Sequence, residues 1–256
     1  MRADLGTNTY LIGTGKRRLL IDTGEGIPAY ESLLSSVLRS EDCTIGPVLL
    51  THWHPDHVGG VDQVSKLCPH ATFSKYLHDD KGEYYPIRDG DEFAVEGGTV
   101  RAVHTPGHTT DHMAFYMSDT GILFTGDSIL GQGTAVFQNL ITYIASLKKQ
   151  LSFKPTSLYP AHGPVVVGEK AAREKILEYI DHRQQREDEI VRITGASDVP
   201  VSPMDIVKVI YSTYPQSLWA AAERGVILHM EKLRDEGKAE EVERGKWVLV
   251  SSNQSR

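Results

Sequence analysis

The stretch Thr51–His57 has the sequence THWHPDH and directly follows the apolar run Pro47–Leu50. It places three histidines and one aspartate within six consecutive residues. Imidazole nitrogens and carboxylate oxygens are the ligands that zinc-like ions take from proteins. The stretch lacks the cysteines with which structural zinc sites usually close all four ligand positions. It therefore predicts an open metal site that retains water, and a chance histidine-rich surface turn is the alternative.

Three further histidine or aspartate residues stand near a glycine or proline where a predicted strand runs into a turn. They are His108 in TPGHT, Asp127 in FTGDS and His162 in YPAHGP. Functional groups often lie on loops at strand ends, and buried polar groups require partners. Each of these residues alone is more often an ordinary hydrogen-bonded residue. Taken together with the histidine stretch, they predict one shared site.

This ordered set of residues, with Asp22-Thr23-Gly24 upstream, resembles the metallo-β-lactamase superfamily of hydrolases. The resemblance implies two divalent metal ions. Zn²⁺ is the preferred metal, and Mn²⁺ or Fe are alternatives because such nitrogen and oxygen donors accept all three. It assigns His52, His54 and His108 to the first ion, Asp56, His57 and His162 to the second, and Asp127 to both. Ala161 stands where relatives often carry glycine, and it has no ligand chemistry.

The implied chemistry is attack by a hydroxide that the two ions hold. Asp56 is predicted to be catalytic as well as a ligand, because it can orient that hydroxide. Asp22 is predicted to hold a ligand histidine through its second ring nitrogen, or equally to cap the following turn. Residues predicted to support the ligands or to line the substrate pocket are Asp22, Asn8, Gly131, Gly133 and Phe137. The segment Gly131–Phe137 is predicted either to line the pocket or to form a tight turn into a helix over Ala135–Leu151.

The composition is that of an ordinary globular protein, with 256 residues, 40% apolar residues and a net charge of −7. This charge argues against a surface built to neutralise phosphates, although it leaves a local basic groove open. Cys43 and Cys68 have neither metal-ligand nor disulfide-framework spacing, and they predict a reducing compartment. No apolar run reaches the ~20 residues of a membrane span. We expect a cytoplasmic protein that does not enter membranes.

The first predicted strand, in Gly6–Ile12, begins close to the start of the sequence. Relatives normally carry a further strand before it, so we expect a shortened start, with the mitochondrial matrix as the alternative location in that case. A hairpin at Thr9–Asp22 and strands with interspersed helices predict a layered α/β protein. The resemblance makes this an αββα sandwich over residues 1–168.

Residues 169–256 are predicted to form a linker helix and a winged-helix domain. A charged helix over Lys170–Ile193 precedes an N-cap at Ser202, a helix near Leu218–Asp235 and a β-wing around Gly245. The last helix and the residue after it carry four acidic and three basic residues, whereas DNA readout favours a basic helix. This domain is therefore predicted to cover the active-site side or to mediate oligomerisation, as in a homodimer.

Two substrate classes fit the resemblance. The strings GHTTDHMAF and GDSILGQGTAVF resemble the lactamase-like-2 branch and the fungal lactamase-type thioesterases. This similarity implies a thioesterase that releases a polyketide acyl chain from an acyl carrier protein. The alternative is a single-strand-specific endoribonuclease of the lactamase-like-2 type, which would act on single-stranded RNA. The acidic chain favours the thioester.

Overall fold

The computed structural model describes residues 6–76 and 84–250. The strands in these ranges are β1 Tyr10–Ile12, β2 Arg17–Ile21, β3 Thr44–Leu49, β4 Thr72–Lys75, β5 Tyr85–Pro86, β6 Glu92–Val95, β7 Gly98–His104, β8 Met113–Met117, β9 Ile122–Gly126, β10 Ser157–Pro160, β11 Val166–Val167, β12 Ala239–Glu243 and β13 Lys246–Leu249. The α-helices are α1 Pro28–Ser40, α2 Pro55–Val58, α3 Val61–Leu67, α4 Leu140–Ser152, α5 Glu169–Gly195, α6 Pro203–Ile210 and α7 Trp219–Asp235. Among the described residues, no helix combines the length and apolar character needed to cross a bilayer.

The chain divides into two compact units. The first comprises the described residues up to Phe137 together with Thr142–Tyr179, and the second comprises Gln138–Ile141 and the described residues from Ile180 onward. The first unit contains a five-stranded sheet in the order β1-β2-β3-β4-β5 and a six-stranded sheet in the order β11-β10-β9-β8-β7-β6. Strands β2 to β5 run parallel to one another, as do β9 and β10.

The alternation of side chains along β2 explains how the layers pack. Leu19 and Ile21 lie in a core shared with Phe115 of the six-stranded sheet, so the two sheets pack face to face. Leu20, between them, points to the other face and packs with Leu34 of α1. Apolar side chains cover both faces of β2. Alternate residues of the strand therefore pack between the two sheets or against α1. The predicted αββα sandwich is confirmed.

The second unit has its own core and the predicted winged-helix elements. Buried Ile190, Ile206 and Met230 pack with Trp247 of β13, which pairs antiparallel with β12. The predicted N-cap is confirmed, because Ser202 and Asp205 form a capping box at the start of α6. A winged-helix domain thus follows the sandwich.

Among the element boundaries that differ from the sequence prediction, those of β3 and α4 lie next to the predicted site. Strand β3 begins at Thr44 and therefore includes residues ahead of the apolar run. Helix α4 begins at Leu140, five residues after the predicted start. The residues before it stay irregular because Gly133 has a φ of 83° and the Val136 carbonyl oxygen accepts a hydrogen bond from His108. Tertiary contacts override helix propensity there.

Five loops leave the carboxyl ends of strands on the same side of the first unit. Asp22 follows β2, the histidine stretch follows β3, and His108, Asp127 and His162 follow β7, β9 and β10. Because β9 and β10 are parallel, as are β2 and β3, their carboxyl ends lie side by side. This topology carries the predicted donors to one edge of the sandwich.

Candidate metal centre

The first donor group consists of three histidine nitrogens in mutual contact. His52 Nε2 lies 2.8 Å from His54 Nδ1, and His108 Nε2 lies 3.2 Å and 3.1 Å from these two atoms. In a tetrahedral zinc site with bonds of about 2.0–2.1 Å, neighbouring donor atoms stand about 3.3 Å apart. The observed triangle therefore has nearly the size that three ligands of one such ion require.

The second donor group consists of Asp56, His57 and His162. Asp56 Oδ2 lies 3.3 Å from His57 Nε2 and 3.2 Å from His162 Nε2. The side chain of Asp56 is about one-third exposed, while that of His57 is fully buried. Of these two residues, Asp56 therefore marks the side of the group that a water molecule can reach.

Asp127 stands between the two groups with one oxygen toward each. Its Oδ1 lies 3.5 Å from His57 Nε2 and 3.2 Å from His162 Nε2, and its Oδ2 lies 3.6 Å from His108 Nε2. Both groups have the composition and spacing of a site for a divalent ion, the first including Asp127. A single carboxylate thus has the position of a bridge.

The state of the buried polar atoms tests whether metal ions fit this site. Within the described part of the chain, His57 Nε2 and Asp127 Oδ1 are buried without a hydrogen-bond partner. Such atoms cost about 1–3 kcal/mol each when they are left unsatisfied. Both belong to donor groups and lie 3.5 Å apart, so cations at the donor groups would satisfy them. The residues fit a pair of divalent ions.

Two of the donor histidines, His57 and His108, are held by hydrogen bonds at their second ring nitrogen. Asp22 Oδ2 accepts from His57 Nδ1 at 2.8 Å, and Asp22 Oδ1 accepts from the backbone N–H of Thr51 at 2.8 Å. His108 Nδ1 donates to the Val136 carbonyl oxygen at 2.8 Å. These contacts direct Nε2 of His57 and of His108 toward the donor groups, as in many metal sites.

The pKa values differ between the two groups. Burial, aided by His57 and His112, holds the pKa of His52 well below its usual value, so its ring stays neutral. The adjacent carboxylates of Asp127 and Asp56 raise the pKa of His162 to about 9. Burial lowers the pKa of His57, but the surrounding carboxylates outweigh that effect and raise it well above normal. In the metal-free protein, His57 and His162 of the second group therefore carry protons at the positions where a metal cation would bind.

Of the remaining predicted residues, Asn8 and Gly131 contact the His162 loop, whereas Gly133 and Phe137 have other contacts. Asn8 Nδ2 donates to the carbonyl oxygens of Pro160 and Gly163 at 3.0 and 2.9 Å. The backbone N–H of Gly131 donates to the His162 carbonyl oxygen at 2.8 Å, and a side chain at Gly131 would collide with the same loop. Gly133 accepts from Tyr179, and Phe137 stacks on Tyr143 with ring centroids 5.3 Å apart. Asn8 and Gly131 are thus the residues of this set that touch the loop of a donor.

Sequence reasoning missed Thr7, which contacts a donor residue, and it left His112 between a ligand-supporting and a structural role. Thr7 Oγ1 donates to Asp56 Oδ2 at 2.9 Å. His112 is fully buried, and its Nε2 accepts from the backbone N–H of Asp127 at 3.1 Å. Thr7 lies 49 residues from Asp56, so no local pattern links them. For His112, the run GHTTDH held a second histidine that offered a signal.

The chain belongs to the metallo-β-lactamase superfamily. Residues 2–162 match the metallo-beta-lactamase superfamily, and residues 202–247 match the beta-lactamase associated winged helix domain. The donor residues of both groups all lie within the first match. The protein is therefore a hydrolase of this superfamily with a His/Asp cluster suited to divalent metal ions.

Relatives of this chain include a lactamase-like-2 protein and a fungal thioesterase. The chain is 44% identical to the beta-lactamase-like protein 2 homolog of Drosophila melanogaster, over 91% of this chain and 84% of the relative. It is also 46% identical to the atrochrysone carboxyl ACP thioesterase of Aspergillus terreus, over 73% of this chain and 58% of the relative. The resemblance to both groups is confirmed.

Solved structures support the fold over nearly the whole chain. A metallo-beta-lactamase family protein from Thermus thermophilus superposes with a TM-score of 0.75 at 21% identity and covers 95% of this chain and 94% of its own. A beta-lactamase domain protein from Burkholderia ambifaria has a TM-score of 0.80 at 18% identity, covering 95% and 87%. At these identities the likeness concerns the fold alone.

Proposed function

We propose that the protein is a thioesterase that hydrolyses an acyl thioester carried by an acyl carrier protein, with two divalent ions, preferably Zn²⁺, at the two donor groups. The reaction adds the oxygen of water to the carbonyl carbon, breaks the C–S bond and releases a carboxylic acid and a thiol. When bound, such ions lower the pKa of water and polarise the carbonyl group. His52, His54 and His108 would hold one ion, Asp56, His57 and His162 the other, and Asp127 both.

Asp56 is the residue that we assign to orienting the attacking water. Its carboxylate is partly exposed at the donor groups. Burial raises its pKa, but the nearby rings of His162 and His57 and the Thr7 hydroxyl outweigh burial and hold the pKa well below normal. It therefore stays ionised and can accept a hydrogen bond from water. Thiolate is a good leaving group, so hydrolysis does not require a strong general acid.

The observation that carries this proposal is the charge of the loops around the site. The described segments that hold the donors and Asp22 span residues 22–27, 50–60, 104–112, 126–137 and 160–168, and none of them contains lysine or arginine. Nucleic-acid sites depend on such cations to neutralise phosphates. A neutral acyl thioester does not require them, so the loops favour it over RNA.

Exposed apolar side chains beside the first donor group further support an acyl substrate. Trp53 is 49% exposed although its ring lies edge-on to His54, with centroids 4.5 Å apart. Val136 is 71% exposed, and its carbonyl oxygen is bound by His108. Exposed apolar residues that cluster at a site commonly contact ligand. An acyl chain would cover both of them.

The winged-helix domain offers little free positive charge on its last helix. Lys232 Nζ lies 2.8 Å from both Glu187 and Glu236, and Arg234 pairs with Asp235. Cations that are already paired are poor counterions for a phosphate backbone. This pairing supports a role for the domain other than nucleic-acid binding.

A direct comparison of substrates tests the proposal. The full chain, loaded with Zn²⁺, is incubated with an acyl-thioester and with an unstructured RNA oligonucleotide at the same salt concentration. We expect thiol release from the thioester and an intact oligonucleotide. His54→Ala, which removes one donor from the first group, serves as the control and should release no thiol. RNA cleavage without thioester turnover would reverse the assignment.

A further inference from the structure

The segment Thr7–Tyr10 lies against the second donor group. Thr7 Oγ1 donates to Asp56 Oδ2 at 2.9 Å. The same carboxylate oxygen lies 3.3 Å from His57 Nε2 and 3.2 Å from His162 Nε2. Because Thr7 binds the oxygen that faces both histidines, its hydroxyl fixes the position at which Asp56 presents a ligand atom.

The next residue of the segment holds the loop of His162. The backbone N–H of Asn8 donates to the Ala161 carbonyl oxygen at 2.7 Å, and its side chain donates to the carbonyl oxygens of Pro160 and Gly163. The Tyr10 hydroxyl donates to the Pro160 carbonyl oxygen at 2.6 Å. The carbonyl groups on both sides of His162 are thus tied to one short segment.

The ring of His162 depends on this backbone support more than the rings of His57 and His108 do. Its Nδ1 is buried and has no hydrogen-bond partner among the described residues. By contrast, His57 Nδ1 donates to Asp22 and His108 Nδ1 donates to the Val136 carbonyl oxygen. His162 is therefore aimed by its loop and by the carboxylates it faces.

We infer that Thr7–Tyr10 is a positioning strap that sets the metal affinity of the second donor group. Thr7 acts through Asp56, and Asn8 acts through the His162 loop; neither is itself a ligand. This inference rests on the two-ion site of the proposed function. The first donor group is held by other contacts, such as that between His108 and Val136, so the strap should leave its affinity unchanged.

Metal titration of single variants tests the strap. Metal-depleted full-length protein is titrated with Zn²⁺ by calorimetry as wild type, Thr7→Val and Asn8→Asp. Thr7→Val keeps the side-chain shape and removes the hydroxyl, and Asn8→Asp removes both side-chain donors. We expect two binding events in each protein, the first unchanged and the second weakened about 10- to 100-fold, the range seen when such supporting contacts are lost.

Thr9→Val is the matched control. Thr9 belongs to the same segment, but its hydroxyl accepts from Tyr30 at 3.1 Å, away from the donors. Thr9→Val should therefore bind both ions with wild-type affinity. If Asn8→Asp does not fold, Thr7→Val carries the test alone, because Thr7 is only half-buried and the change is isosteric.

Equal weakening of both binding events, or no weakening of the second, would overturn the inference, as would a wild-type protein that binds one ion. The measurement follows metal binding and not turnover. A strap that behaves as expected in a protein that cleaves RNA and not thioesters would therefore refute the proposed function while leaving this inference intact.

Discussion

Replacing Asp22 with asparagine isolates the contribution of one buried carboxylate to the second donor group. Asp22 is 1% exposed, and its two oxygens accept from the Thr51 backbone, the Thr51 hydroxyl and His57 Nδ1 at 2.8–2.9 Å. Its φ of 57° is left-handed, a conformation that asparagine adopts as readily as aspartate. The variant therefore changes the charge and one acceptor without straining the backbone.

The magnitude follows from the bond that is lost. A hydrogen bond to a charged group contributes about 1.5–3 kcal/mol, and about 1.4 kcal/mol corresponds to a tenfold change in affinity. Asp22→Asn should thus lower the affinity of the second donor group for its metal ion by about 10- to 150-fold, provided that the amide NH₂ group faces His57 Nδ1. Competition with a chromogenic chelator measures this affinity, and thermal unfolding of the metal-free protein checks the fold.

The first donor group provides the internal reference for this variant. Asp22 reaches that group only indirectly, through the Thr51 hydroxyl that lies 3.0 Å from His52 Nδ1, so the affinity there should change less than at His57. Wild-type affinity at both groups in a folded Asp22→Asn protein would refute the view that this carboxylate holds His57 for the metal. An equal loss at both groups would contradict it as well.

Four further predictions concern the donors, their support and the substrate. Asp127→Ala should lower bound metal and abolish turnover without unfolding the chain; elemental analysis and circular dichroism check this, and full activity would contradict the bridging role. Because the pKa of His162 is raised to about 9, its proton stabilises the metal-free protein fully below about pH 6.5, the pKa of an unperturbed histidine, and this contribution is lost as the pH rises through 9. Metal binding at pH 7.5 should accordingly release protons, and the binding heat measured by calorimetry should therefore depend on the buffer. The affinity for the metal ion should rise toward pH 9. Gly131→Ala, which collides with the His162 loop, should cost about 1–3 kcal/mol in urea denaturation, whereas Gly225→Ala, in open space within α7, should stabilise by up to about 1 kcal/mol. Polar substitutions at Trp53 and Val136 should raise KM for long acyl thioesters more than for short ones, and an equal effect on both would argue against apolar contact with the acyl chain.

Local sequence patterns determined much of this protein. The continuous apolar run Leu19–Ile21 indicated a strand of the predicted hairpin, and Ser202 with Asp205 indicated a helix start. These features were predictable because periodicity and capping act within a few residues. The donor residues were visible for the same reason: each stands next to its own strand end in the chain. The resemblance to the superfamily then indicated how these residues group around two metal ions.

Only the tertiary structure decided how these parts meet. The two oxygens of Asp127 divide between the donor groups, Thr7 reaches Asp56 across 49 residues, and Asn8 reaches Gly163 across 155. Helix α4 begins as late as Leu140 because the Val136 carbonyl oxygen accepts a hydrogen bond from His108. Contacts of this kind arise from packing between distant loops, which no short-range pattern encodes. The sequence therefore indicated the candidate donor residues, and the packing of the loops determined what holds them in place.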